Sequence, residues 1–479
     1  MLPDDIILII FDFYRVDPMN YVGSTFTWHK LVHVCRRWRH LVFASPRRLD
    51  LRIVCTGTSP VSELLHVWPQ LPIIIKYWLY SMPASIIPVP NPNVLTALGH
   101  HDRVREIQLS NLSQSLLDIF STAMQEPYLS LTTLELSSDD EIAPVLPDTF
   151  SRGFAPCLQR VWLEGITFPA LPTLLLSTVD LVSLLLDRIP PSTGSISPEV
   201  MATNLSALTR IKFLRIDFRS PGSAPDIRQH PRNLTRALLP CLTWLEFRGI
   251  SEYLEDLLVR IEAPILDNVN IKFFNQLIFD VPQLLQSLTY SEKLNSPKET
   301  TINFHSDFVQ MTLSPPKGTV GNLTLQVLCA VPLQQVSSMV QICNRVMRLL
   351  SSVERLEICG GEYENSLQEW QEDIEGSQWL DLLRPFTAVE SLHVTESLGP
   401  FTASALREIT GRSATEVLPA LRSLFLEGLE PSEFLRGAVG QFLAARGSTN
   451  RPVAICRRKS QWDSGEHDLE WEEFMEVEN

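Results

Sequence analysis

The sequence has no CxxC pair, no cysteine cluster and no unbroken run of about 20 apolar residues. Without these it offers neither the frame of a structural zinc or a disulfide-dense module nor a span for a bilayer, so no membrane partner is expected. Basic residues are in deficit: 40 Lys+Arg against 55 Asp+Glu give a net charge of −15. Binding to nucleic acid needs a basic face to neutralise phosphates, and that class of partner is excluded as an expectation. The start of the chain lacks the basic region of an export signal, because Asp4 and Asp5 precede its short apolar run. The reading is therefore an intracellular protein, cytoplasmic and/or nuclear. The phosphate-cradling and nucleophile motifs GxGxxG, GxSxG and HExxH, and a P-loop, are all missing. His29 and His33 stand four apart, the helical spacing of two metal ligands, but no third ligand follows. The expectation is a non-enzyme with no catalytic residue, no metal and no cofactor.

What is present is an apolar fraction of 44% with 20% charged residues, enough for a large core. Near the N-terminus, Pro3, Asp4 and Asp5 give way to Ile6, Ile7, Ile9, Ile10 and Phe11, a helix start with carboxylates at the positive end of the dipole. Trp28, Leu31, Cys35, Trp38 and Val42 then follow at steps of 3, 4, 3 and 4, one stripe of an amphipathic helix whose other face carries Arg36, Arg37, Arg39 and His40. Periodicity alone fits either a cap on a larger domain or a docking module.

The order Leu2-Pro3-Asp4-Asp5-Ile6, Ile10-Phe11 and Leu31-Val32-His33-Val34-Cys35-Arg36-Arg37-Trp38 resembles an F-box over residues 1–45. In that family the helices pack against a Skp-family adaptor and through it join a cullin–RING ubiquitin ligase. The resemblance implies adaptor contacts at Leu2, Pro3, Ile6, Ile10 and Phe11 and at Leu31, Val34, Cys35, Trp38 and Leu41. Asp5 stands where the family has Glu, and Asp17–Thr27 lengthens the connection between the helices.

Residues 46–455 return repeatedly to a pattern of apolar, two others, apolar, one other, apolar. It occurs at Val104-Ile107-Leu109, Leu131-Leu134-Leu136, Leu158-Val161-Leu163, Leu181-Leu184-Leu186, Leu208-Ile211-Phe213, Leu242-Leu245-Phe247 and Leu266-Val269-Ile271, at offsets of 27, 27, 23, 27, 34 and 24. Later copies fall at Val320-Leu323-Leu325, Val353-Leu356-Ile358, Val389-Leu392-Val394 and Leu421-Leu424-Leu426, with a degenerate one at Ile302-Asn303-Phe304 midway through a gap of 54. Such spacing is similar to that of leucine-rich repeats, and the combination resembles F-box-like repeat proteins abundant in fungi. The predicted fold class is α/β: the helical module, then a solenoid of about 10–13 turns with parallel strands on a concave face and helices and loops on the convex face. Strand alternation sends the intervening residues to the concave side, making Arg160, Trp162, Glu164, Arg210, Lys212, Trp244, Glu246 and Arg248 the candidate contacts for a protein substrate, with Asn268, Asn270 and Lys272 beyond them. Trp162 and Trp244 stand out, because aromatic side chains concentrate at binding hot spots; a covering loop is the plain alternative.

A final helix is predicted within 431–450 and a closing strand after it. Residues 456–479 form a tail with eight carboxylates from Gln461 onward and no Lys or Arg, expected to be a solvated, mobile end. The function these readings converge on is substrate recognition in an SCF-type E3 ligase, with an adaptor, a cullin and an unknown protein substrate as partners. The alternative is a repeat scaffold that never enters a ligase.

Overall fold

The structure, a computed structural model, describes residues 2–13, 31–45, 51–58, 61–67, 71–78, 90–150, 154–190, 196–223, 236–276, 278–291, 293–315, 321–360, 376–395, 398, 405–406, 408, 416–427, 433–458 and 472–473. Asp17–Thr27, Trp28, His29, Val320 and most of the acidic tail lie outside them. The fold is mixed α/β, and the chain divides into two compact units, Met1–Ile196 with Thr203–Ile211 and Ser197–Ala202 with Lys212–Asn479.

The first unit opens with α1 (Asp4–Asp12) and α2 (Arg36–Ala44), then alternates strands and helices: β1 (Ile53–Cys55), α3 (Val61–Val67), β2 (Ile73–Trp78), α4 (Pro92–Leu98), β3 (Val104–Ser110), α5 (Gln114–Ala123), β4 (Thr133–Ser137), β5 (Arg160–Glu164), α6 (Leu171–Ser177) and β6 (Ser183–Ile189). Each strand pairs in parallel with the next in the chain. Leu134, Val161 and Leu184 come into register across three strands and are wholly buried, as are Leu116, Leu117 and Phe120 of α5. Fully burying such a side chain contributes about 1.5–3 kcal/mol, so the repeated apolar positions carry the stability. The main chain repeats too. Thr132 N–H donates to Arg105 O (2.7 Å), Gln159 N–H to Thr132 O (2.8 Å) and Val182 N–H to Gln159 O (2.8 Å). Each repeat thereby satisfies the peptide group just ahead of the neighbouring strand.

In the second unit, after α7 (Pro198–Leu205), come β7 (Phe213–Phe218), β8 (Ala237–Leu238), β9 (Trp244–Gly249), α8 (Ser251–Arg260), β10 (Ile261–Glu262), β11 (Asn268–Phe274), α9 (Pro282–Tyr290), β12 (Glu299–Phe304), β13 (Phe308–Ser314), β14 (Asn322–Leu328), α10 (Pro332–Arg345), α11 (Met347–Leu350), β15 (Arg355–Gly360), α12 (Gly376–Leu383), β16 (Ser391–Val394), β17 (Ser423–Glu427), α13 (Glu433–Ser448), β18 (Ala454–Arg458) and β19 (Glu472–Glu473). The same inter-repeat bond recurs from Thr243 N–H to Lys212 O (3.0 Å) and from Asp267 N–H to Thr243 O (3.1 Å). Helices are tied to one another as well: the Glu255 carboxylate of α8 accepts N–H bonds from Gln283 (2.7 Å) and Leu284 (3.0 Å), capping the start of α9. Arg446 of α13, fully buried, donates to Val417 O (2.9 Å) and Leu418 O (2.6 Å).

Three expectations are corrected here. Lys212 occupies the position of Gln159 and Thr243 ahead of its strand, so the pattern runs Ile211-Leu214-Ile216 rather than Leu208-Ile211-Phe213. The misreading arose because Leu208 and Ile211 are themselves wholly buried and mimic the repeat three residues early. Second, the 54-residue gap holds a hairpin and not one extra turn. β12 and β13 are antiparallel, β13 and β14 are antiparallel, β14 is the parallel neighbour of β11, and β12 is the parallel neighbour of β15. Third, the single stripe from Trp28 to Val42 is broken by a turn, and Cys35 is the N-cap of α2 with its Sγ accepting Trp38 N–H at 3.4 Å. Part of the acidic tail also pairs: Glu472 and Glu473 lie antiparallel to Arg457 and Cys456 of β18.

Candidate functional site

Helix α1 is apolar on two sides, and the sides have different fates. Ile7, Leu8 and Phe11 enter a core cluster with Leu31, Val32, Leu41, Val42 and Leu51, against which Trp38 and Leu71 pack; the Phe11 and Trp38 rings meet edge to face at 4.9 Å. Leu2 (54% exposed), Ile6 (42%), Ile9 (46%) and Phe13 (84%) follow at steps of 4, 3 and 4 and face solvent, as does Val34 (58%). Among the predicted contacts, then, Phe11, Leu31 and Leu41 are buried within the unit, Ile10 and Trp38 are half-buried, and Leu2, Pro3, Ile6, Val34 and Cys35 are exposed. Ile9 and Phe13 were missed; the second helical stripe through Leu2 and Ile6 is the signal that reaches them. Arg37 fixes the pair of helices, its Nε donating to Asp4 Oδ1 (2.9 Å) and its Nη2 to Leu2 O (2.5 Å).

On the sheet of the first unit, the residues between the core positions form rows across the strands. Lys76, Gln108, Glu135 and Trp162 lie in register. Burial pushes the Glu135 carboxyl up and the Lys76 amine down from their ordinary values, with Arg160 opposing the shift at Glu135. Trp162 is half-buried and donates from Nε1 to Asp187 Oδ2 at 2.8 Å. Burial also raises the Glu164 carboxyl, against the pull of Arg188, whose Nε lies 3.1 Å away. Arg160 is exposed beside Glu135 (3.9 Å), and Trp78 at the end of β2 is 51% exposed.

The sheet of the second unit brings Trp244, Glu246 and Arg248 of β9 beside Asn268, Asn270 and Lys272 of β11. On the other side of β9 stand Phe213, Arg215 and Asp217, which the slipped repeat had hidden; the unbroken alternation of Leu214, Ile216 and Phe218 is the signal that finds them. Arg210 and Lys212 precede the strand, and Arg210 pairs with Asp180 at 2.6 Å. Trp244 is 37% exposed and stacks on Phe213 at 5.6 Å, its Nε1 donating to Glu246 Oε1 at 3.1 Å. Glu246 also accepts from Arg215. Arg248 lies 3.7 Å from Asp217 and 5.5 Å from the centroid of the Phe274 ring.

Among the described residues no three His, Cys, Asp or Glu side chains gather as a metal would need, and no helix is long and apolar enough to cross a membrane. In comparison with known proteins, no family model matches the chain, and no curated protein matches it either.

Proposed function

We propose that residues 1–45 form an F-box, that the strand-helix repeats form a leucine-rich-repeat solenoid, and that the chain is the substrate-recognition subunit of an SCF-type E3 ubiquitin ligase. The observation that carries this reading is the doubly apolar helix α1. One stripe supplies the core, and the other leaves Leu2, Ile6, Ile9 and Phe13 in water, where Val34 is exposed too. A contiguous exposed apolar face of this kind is covered by a partner in working proteins, and a helical adaptor covers it by groove packing. The chain itself does no chemistry in this scheme. It holds a substrate near a charged E2, which raises the effective concentration of the acceptor lysine.

Co-purification of the full chain with a Skp-family adaptor tests the proposal, alongside the variant Ile6→Glu/Val34→Glu. Both positions are exposed, so the variant is expected to keep its circular dichroism and melting temperature while losing the adaptor. Absence of binding by the wild-type chain, or unchanged binding by the variant, overturns it. A second reading is favoured by the packing of Phe11, Leu31 and Leu41 with Leu51 in one cluster: the helices then cap the repeats of an interaction scaffold that enters no ligase.

A further inference from the structure

Lys272 and Arg248 are direct cross-strand neighbours on β11 and β9. Two like charges so placed destabilise a sheet. On the next row the charges are matched, Glu246 of β9 with Arg215 of β7. Here the match is incomplete. Lys272 is half-buried and makes no ion pair or hydrogen bond among the described residues, Arg248 Nε has no partner, and Asp217 is 3.7 Å from the Arg248 guanidinium, beyond hydrogen-bond reach. The following strands bring the neutral amides Gln326 and Gln310 into the same row. The row therefore runs Asp217, Arg248, Lys272, Gln326, with a carboxylate beside Arg248 and none beside Lys272.

We infer that this face of the second unit binds an acidic peptide segment, with Lys272 and Arg248 receiving its carboxylates and Trp244 receiving an apolar side chain. Trp244 precedes Arg248 by four residues on the same strand, about 13 Å at the rise of a β-strand. The segment is therefore extended and carries its apolar residue about four positions from its acid. Trp244, stacked on Phe213 and 37% exposed, offers the flat apolar platform with Asn268 beside it, and Asn270, opposite Glu246 between the two ends, offers an amide to the peptide backbone. The biological role of the site rests on the substrate-recognition reading, but peptide binding is measured on the free chain and adaptor binding separately, so either can fail alone.

The probe is a fluorescein-labelled peptide of about ten residues, with one leucine about four positions before two glutamates, titrated against the full-length chain by anisotropy. Binding is expected to weaken about tenfold on raising salt from about 50 to about 300 mM, and about tenfold in Lys272→Gln. The same substitution relieves the like-charge contact, so its melting temperature is expected to hold or rise, which a merely structural lysine would not give. Equal binding of the peptide with glutamine in place of glutamate, or unchanged affinity in Lys272→Gln, overturns the proposal. So does full competition by inorganic phosphate at the concentration of the peptide, which would reassign the cations to a bare anion.

Discussion

Cys35 and Cys343 share a side chain and almost nothing else. Cys343 is buried beside Met311 Sδ (3.9 Å), and burial pushes its thiol well above the ordinary value; burial raises Cys55 to about 12. Cys35 and Cys157 are exposed. Because the thiolate is the reactive form, brief alkylation of the native protein is expected to mark Cys35 and Cys157, and Cys343 and Cys55 only after unfolding. Peptide mapping by mass spectrometry checks this, and early modification of Cys343 would contradict the packing described. In the ligase reading, the adaptor also protects Cys35. Cys55, Cys329 and Cys343 are buried and fill space as small apolar side chains. Cys35 was assigned to an apolar stripe, yet it caps a helix, a role that depends on where the preceding turn ends and that no periodicity encodes.

Among the elements, the β12–β13–β14 meander is the part least visible in advance. Thr300, Ile302 and Phe304 alternate with half-buried neighbours, and so do Val309, Met311 and Leu313 after a three-residue break, which announces two strands and a hairpin. Alternation does not name the neighbours of a strand, and the repeat offset suggested the wrong ones. Gln335 of α10 secures the arrangement: fully buried, it donates from Nε2 to His305 O (2.8 Å) at the hairpin turn and to Cys329 O (2.6 Å) after β14. Gln335→Met keeps the volume and leaves both carbonyls without that donor. A loss of about 2 kcal/mol is expected, seen as a lower urea midpoint at unchanged slope, and a midpoint within error of wild type would remove Gln335 from the account.

At the scale of the molecule, three carboxyls among the described residues, Glu135, Glu164 and Glu255, are raised above their ordinary value of 4.5, in each case first by burial. A raised carboxyl binds its proton more tightly in the folded state, so its stabilising effect is full below 4.5 and disappears as pH rises through the folded value. Lowering the pH from neutrality toward about 5 is therefore expected to raise the melting temperature, and relief of repulsion in a chain of net charge −15 acts in the same direction. Glu135→Gln separates the two, because it should flatten the slope, and an unchanged slope would exclude the buried carboxyl as a contributor. The parallel sheet was legible in the 23–34-residue returns of Leu and Val, since stacked strands impose a repeat on the chain. Its row partners were not, because a slip of three residues at Ile211 leaves the period almost intact. The inserted hairpin has one last consequence, which is a matter of parity. It adds two strands, an even number, so β15 runs in the same direction as β11 and the later repeats resume without turning over. A single added strand would have left every following repeat upside down, its apolar side chains carried to the wrong end of each helix. A chain of this kind can therefore lengthen by one hairpin and remain the same chain on either side of it.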